Sequence, residues 1–459
     1  MNESVTLIFP VFFPIIIGTV LFFLPSDKNR KLLLGLTGIT LILTTVSVFT
    51  ILCSEIDTYT LFYLTKTLPV YFKLDGMGRV FVVAVSIVWL CAGFFSFTYM
   101  KHEKEEKRYF GFYLIVYGIL VALNFAGNIV TFYMFYELMT LLSMPLVLHS
   151  KSKEAVMAGL KYLFYSFCGA YMVLFGIYFL YRFSNTLTFT AGGVLNQELI
   201  VGREPFLLFV AFLMILGFGV KAGMFPMHGW LPTAHPVAPA PASAVLSGII
   251  VKGGVLGIVR TIYFLFGTAF LSGTWVQTAC LCLTLFTVFM GSMLAYREKL
   301  LKKRLAYSTV SQVSYILFGL ALMQKNALTG SMLHVLCHAF IKSGLFLCVG
   351  AIIYQTGKTR VDEINGIGKK MPLLLWCYTL CSLGLIGIAP TGGFLSKWYL
   401  ATGALGSAIP FFSWFGPVVL LISALLTAGY LLPVTIGDFS RVRIIIMRNT
   451  KRMNRNSIC

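Results

Sequence analysis

Residues 5–24 read VTLIFPVFFPIIIGTVLFFL, a run of helix length without a single charged side chain. A bilayer core is about 30 Å thick, so a crossing helix needs about 20 mostly apolar residues. A transmembrane barrel would show alternating segments of about ten residues instead. The run therefore predicts a membrane-spanning helix. Glu3 is the only charge before it, and neither a basic leader nor a small-residue cleavage site is evident, so it is expected to remain as the first helix. The rest of the chain has the same character. Of its 459 residues 58% are apolar and 11% charged, and 41 Phe stand against 16 Asp plus Glu. Soluble domains average about 25% charged residues, and this composition could not cover a water-exposed surface. A soluble enzyme, a disordered chain and a secreted disulfide scaffold are excluded.

Thirteen spans are expected in an all-α polytopic membrane protein: 5–24, 32–53, 79–100, 109–126, 128–148, 161–182, 206–224, 242–267, 275–296, 306–323, 331–355, 373–403 (broken) and 412–436. Most of the 36 Lys and Arg residues fall in the connections after spans one, three, five, nine and eleven, and in the tail 437–459. Lys28, Arg30 and Lys31 are in the first of these, and Arg297, Lys299, Lys302, Lys303 and Arg304 in the fourth. The positive-inside rule then places the N-terminus outside and the basic tail in the cytoplasm of a cell-membrane protein. The +20 net charge reads as topology against anionic lipid rather than nucleic-acid binding. Nine of the ten cysteines lie in or beside apolar runs, Cys459 falls in the basic tail, and none has C-x-x-C spacing, so no redox cofactor is expected. Gly357-Lys358 lacks the upstream glycine of a phosphate-binding loop, Ile352 standing there.

Lys66, Lys73, Arg79, Arg182, Arg203 and Lys325 lie on the opposite side, which leaves six basic residues. Lys161 and Arg260 sit near span ends, where interfacial anchoring is the default reading. Lys221, Lys252, Lys342 and Lys397 fall inside spans, where each isolated charge costs at least about 2.5–3.5 kcal/mol and marks function. Glu137, in TFYMFYELMTLLSMP, is the one carboxylate deep in an apolar span and the natural counter-charge for a lysine. Lys221 stands in GFGVKAGMFPMHGWLP, where three glycines and Pro226 predict an interrupted helix. Pro390, Gly392 and Gly393 predict a second interruption just before Lys397. A lysine beside a helix break in each half, in opposite order, points to inverted repeats with ion sites. Between the breaks lie Lys252 and the stretch HVLCHAFIKSGLFL, whose His334, His338 and Lys342 drift along nearly one helix face. Val335 replaces the glutamate of H-E-x-x-H and a third ligand is missing, so no metal is expected. Imidazole exchanges protons near neutral pH, and moving the Glu137 charge towards or away from Lys221 would switch that lysine's affinity for a proton.

ELMTLLSMPLVLHS, VKAGMFPMHGWLPTAHPVAPAPASAVLSGIIVKGG, HVLCHAFIKSGLFL and PTGGFLSKWYL resemble the antiporter-like subunits shared by respiratory complex I, Mrp-type Na+/H+ antiporters and energy-converting membrane-bound hydrogenases. The resemblance covers roughly residues 60–435. It implies a three-helix segment at 1–108, inverted five-helix repeats at 109–270 and 271–436, and a basic tail at 437–459 where the family's fourteenth helix would stand. Carried over, Glu137 and Lys221 match the coupling pair, Lys252 the connecting lysine, His334, His338 and Lys342 the histidine-lysine stretch, and Lys397 the terminal lysine. The implied function is proton translocation within a membrane-bound oxidoreductase complex without redox chemistry in this chain. The implied partners are other membrane subunits and lipid, with protons as cargo. The alternatives are an Mrp-type exchanger subunit, which adds Na+ as cargo, and a non-conducting structural subunit.

Overall fold

The computed structural model describes residues 6–24, 29–54, 58–364 and 366–453, with side chains through residue 436. It is a bundle of apolar helices. The first six are α1 (Phe9–Leu21), α2 (Arg30–Leu52), α3 (Gly76–Tyr99), α4 (Glu106–Phe125), α5 (Ile129–Val147) and α6 (Lys153–Phe183). Then come α7 (Glu204–Ala222), the short α8 (Leu231–Val237) and the continuous α9 (Ala240–Phe266). The second half holds α10 (Trp275–Arg297), α11 (Leu301–Ala321), α12 (Lys325–Thr356), α13 (Pro372–Ile386), α14 (Gly392–Leu405) and α15 (Pro410–Met453). Helix occupies all thirteen expected segments. Among the described residues ten helices are long and apolar enough to cross a membrane, while Phe9–Leu21 and Pro372–Ile386 are apolar but shorter. α11 falls outside both groups because its middle reads YSTVSQVSY.

Local chemistry sets the helix starts. Asp75, Asn128, Ser152 and Thr391 cap α3, α5, α6 and α14 by accepting from the backbone N–H three residues on, which satisfies donors that a helix start leaves free. Helix α9 is enclosed on all sides, and its regular pitch gives way to π-helical turns at Leu246–Ile250 and Arg260–Phe266. By contrast α6 turns Phe164, Tyr171 and Tyr178 outwards, as a helix in contact with lipid or a neighbouring subunit does.

The two breaks are built alike. Each begins at a glycine in the left-handed region, Gly223 at φ 78° and Gly387 at φ 89°, which an L side chain rarely adopts. Each has a cis proline three residues later, Pro226 and Pro390. Gly392 and Gly393, expected within the second interruption, instead open α14. A Cβ on Gly393 would stand 1.8 Å from the Gly384 carbonyl oxygen, so this glycine serves close packing of the two limbs.

The chain is not wholly helical. β1 (Tyr59–Thr65) and β2 (Leu68–Phe72) form an antiparallel hairpin in the connection between α2 and α3. Its aromatic and β-branched residues suit a strand, but they were hidden between much stronger apolar runs. The hairpin lies beside the α4–α5 turn, where Tyr71 donates to the Gly127 carbonyl. On the opposite face the basic connections meet. His149 contacts the Lys104 carbonyl at 2.9 Å, Arg30 pairs with Glu106, and the Leu301 N–H donates to the Thr359 carbonyl.

Candidate functional site

Lys221 lies in the last turn of α7 and is wholly buried. Its ammonium donates to Thr140 Oγ1 at 2.7 Å, Tyr162 OH at 2.9 Å and Ser166 Oγ at 3.0 Å. Three acceptors match the three donors of an ammonium, and bonds to a charged group contribute about 1.5–3 kcal/mol each. That is enough to offset the insertion cost of about 2.5–3.5 kcal/mol. The Tyr162 ring adds a cation–π contact at 4.3 Å. Glu137, the expected counter-charge, stands beyond ion-pair distance of this lysine but within its electrostatic reach. It sits one helical turn before Thr140, half-buried, with Oε1 enclosed and without a hydrogen-bond partner among the described residues. The hydroxyl layer of Thr140, Tyr162 and Ser166 replaces the direct contact. These hydroxyls carried no sequence signal, since Ser, Thr and Tyr are frequent in such helices.

Lys252 follows the first π-helical turn of α9 and points into the centre of the molecule. Its Nζ lies 2.6 Å from His338 Nδ1, and it also donates to the Ser247 carbonyl at 3.4 Å. Such turns recur at functional sites because they rotate the following side chains out of register. One turn along α12, His334 Nδ1 meets Ser396 Oγ at 2.8 Å, and the two imidazole centroids are 6.0 Å apart. The Nε2 atoms of both rings are buried and have no hydrogen-bond partner among the described residues, and the same holds for both amide atoms of Gln312 on α11. Buried polar groups of this kind are ordinarily paired by water. Gln312 was not singled out in the sequence, although the polar stretch around it was visible there.

Lys397, in the second turn of α14, reaches back across the break. It donates to the carbonyls of Leu385 and Ile386 at 2.7 and 2.9 Å, at the end of α13. Its ammonium lies 5.0 Å from the Tyr315 ring centroid, and Tyr315 in turn stacks near His334 at 5.8 Å. Lys342 donates to the Leu305 carbonyl at 3.0 Å, near the start of α11, which sets it off towards the basic face. Lys252, His338, His334 and Lys397 thus form a row that ends at the second broken helix, and Lys221 on the first packs beside Gly254, one half-turn from Lys252 on α9.

The two span-end residues diverge. Lys161 is half-buried, 6.0 Å from the Tyr165 ring centroid. Arg260 is not an interfacial anchor: it is 1% exposed and bonded to both carboxylate oxygens of Asp75. The guanidinium lies over Phe189 and Phe264 at 4.3 and 4.9 Å. Neighbouring helices enclose α9 on all sides here, which residue spacing does not reveal.

Residues 126–436 match the family model described as NADH:quinone oxidoreductase/Mrp antiporter, TM. Residues 64–110 match that of NADH-Ubiquinone oxidoreductase (complex I), chain 5 N-terminus. The NADH-quinone oxidoreductase subunit N of Desulforudis audaxviator is 32% identical over 365 residues, 78% of this chain and 70% of that protein. Hydrogenase-4 component B of Escherichia coli is 31% identical over 343 residues, which are 71% of this chain and 50% of that longer protein. A chain of the Mrp complex from a Dietzia species shares the fold, with a TM-score of 0.82 and 24% identity over 95% of this chain and 80% of that one. The chain therefore belongs to the NADH:quinone oxidoreductase/Mrp antiporter family of membrane subunits.

Proposed function

We propose that this chain is the proton-translocating, antiporter-like subunit of a membrane-bound oxidoreductase complex. Protons move along Glu137, Lys221, Lys252, His338, His334 and Lys397, with Lys342 attached at the middle. The observation that carries this reading is the 2.6 Å contact between Lys252 and His338. Two exchangeable groups meet there in an enclosed core, midway between two broken helices that each present a lysine. A structural staple needs one charge and one partner, whereas this row repeats exchangeable groups across the bundle. The similarly built breaks, Gly223 to Pro226 and Gly387 to Pro390, support inverted repeats at 109–270 and 271–436. The gathering of basic connections on one face supports a cytoplasmic placement of that face in the cell membrane, with the N-terminus outside. The partners are other membrane subunits that supply the driving reaction. Na+ is the competing cargo, because the family's description spans antiporters as well as oxidoreductases.

The test is Lys252→Ala in the assembled complex, reconstituted in sealed vesicles with a pH-sensitive dye. Turnover-linked proton uptake is expected to fall below detection while the complex still assembles. Undiminished uptake would overturn the reading. Transport that follows Na+ at constant pH would transfer it to the exchanger class.

A further inference from the structure

Away from the row, a groove of about 570 Å³ lies between the first turns of α6 and the short α8. Met157, Leu160 and Phe164 of α6 and Val237 of α8 form its apolar wall, and the three α6 side chains are exposed. Small-molecule sites ordinarily span about 300–1,000 Å³. The charged residues that line the groove are Glu154 and Lys161. Neither makes an ion pair or a side-chain hydrogen bond among the described residues. The Lys161 ammonium lies 6.0 Å from the Tyr165 ring centroid, and a Cβ on Gly229 would stand 3.8 Å from it. It therefore rests against the turn Met227–Trp230, which joins the first break to α8.

Depth orders these groups. Helix α6 has 31 residues, which makes it about 46 Å long at 1.5 Å per residue, against a hydrocarbon core of about 30 Å. Centred on the bilayer, it extends about 8 Å into each headgroup layer. Glu154, its second residue, then stands among headgroups, whereas Lys161 stands about 4 Å inside the hydrocarbon edge. Side chains on a helix lean towards its N-terminus, here the basic face. A lysine stem can lie along apolar surface while its charge reaches the interface. From the helix end inwards the groove thus presents a carboxylate, an ammonium and an apolar wall. An aminophospholipid has the same depth order of amine, phosphate and acyl chain, so that each charge meets its complement. An amphipathic protein helix repeats its charges along one face and supplies no such single gradient.

We propose that the groove between α6 and α8 binds one aminophospholipid of the phosphatidylethanolamine class. Lys161 donates a charge-assisted hydrogen bond to the phosphate, Glu154 accepts from the primary ammonium, and an acyl chain lies along Met157, Leu160 and Phe164. A primary ammonium has three N–H donors. A choline headgroup has none, and a glycerol headgroup lacks the positive charge. Lys161 thus selects the phosphate, and Glu154 selects the amine. The site is separate from the row and does not depend on proton transport along it.

The test places the assembled complex in phosphatidylcholine vesicles that contain phosphatidylethanolamine with a photoreactive diazirine on its acyl chain. Wild type, Lys161→Met and Glu154→Gln are compared by peptide mass spectrometry after illumination. Met keeps the apolar stem without the charge, and Gln keeps the size of the carboxylate. In wild type, adducts are expected on Met157, Leu160 or Phe164, and added unlabelled phosphatidylethanolamine should suppress them more than phosphatidylglycerol or further phosphatidylcholine does. Lys161→Met should lower the adducts at least about fivefold, as when a hydrogen bond to a charged group is lost. Glu154→Gln should narrow the preference over phosphatidylglycerol about two- to fivefold, the range of an exposed ion pair. Equal competition by the three lipids, or unchanged labelling in Lys161→Met, would overturn the site and leave ordinary boundary lipid. Stronger competition by phosphatidylglycerol would overturn the aminophospholipid class. Adducts elsewhere on α6 but none in the groove would mean that another subunit covers it, which equally overturns the proposal. Should Lys161→Met fail to assemble, Glu154→Gln decides at an exposed residue: a narrowed preference upholds the site, and an unchanged one overturns it.

Discussion

The two broken helices share a design and differ in what their lysines hold. At the first break the Val220 carbonyl accepts from Trp230 Nε1 at 2.8 Å. Lys221 is thereby left to three side-chain hydroxyls. At the second break the lysine itself takes the freed carbonyls, those of Leu385 and Ile386. Hydroxyls rotate, and each can accept from an ammonium or donate to an amine. Carbonyls only accept, and they are fixed at the end of α13. One lysine therefore sits in surroundings that can follow a change in its charge, whereas the other is held by the backbone that the break exposes. The pair shows how one charge is accommodated in an apolar bundle either by rearrangeable side chains or by a helix end.

The largest effect is expected from removing the charge that sets the first site against the second. Glu137→Gln should abolish coupled proton uptake while the complex still assembles, because the amide keeps the packing but not the charge. Undiminished uptake in reconstituted vesicles would show that the hydroxyl layer works without the carboxylate, and the asymmetry between the breaks would lose its driver.

The second site separates by substitution type. Lys397→Ala should stop transport. Lys397→Glu should retain part of it, since a carboxylate can also bind and release a proton. Lys397→Arg keeps the positive charge but cannot deprotonate in a protein. Vesicle assays in which Arg is active and Glu is dead would make this lysine a structural plug of the α13 carbonyls.

Smaller changes should follow from thinning the hydroxyl layer. Thr140→Val and Tyr162→Phe each remove one of the three acceptors of Lys221, a loss of about 1.5–3 kcal/mol by the usual strength of such bonds. A severalfold drop in uptake is expected for each, and the double variant should fall further. Wild-type rates in the double variant would mean that the hydroxyls do not matter to transport.

The smallest effect on transport belongs to the charge pair outside the row. Asp75→Asn keeps a side chain able to cap α3 but leaves Arg260 without its counter-ion. Breaking a buried pair costs roughly 3–5 kcal/mol, so a lower thermal midpoint with transport near normal is expected. Lost transport at unchanged stability would bring this pair into the path and end the contrast between the row and its surroundings.

Much of this molecule is determined locally. Long apolar runs specify membrane helices because the bilayer leaves backbone groups no partners outside the helix. Buried lysines, a lone mid-span carboxylate and Gly/Pro clusters are conspicuous in such runs because charge and helix breaks are costly there. Lys252, His334, His338 and Lys397 could therefore be chosen from the sequence, and so could both interruptions. What only the tertiary structure decided is which group answers each charge. Thr140, Tyr162 and Ser166 come from two helices distant in sequence from Lys221. Arg260 is buried because neighbouring helices enclose α9 on all sides, and Lys397 folds back onto the end of the preceding helix. Charge and periodicity are properties of one segment, whereas partnership depends on the rotation and depth of packed neighbours, which no single segment encodes.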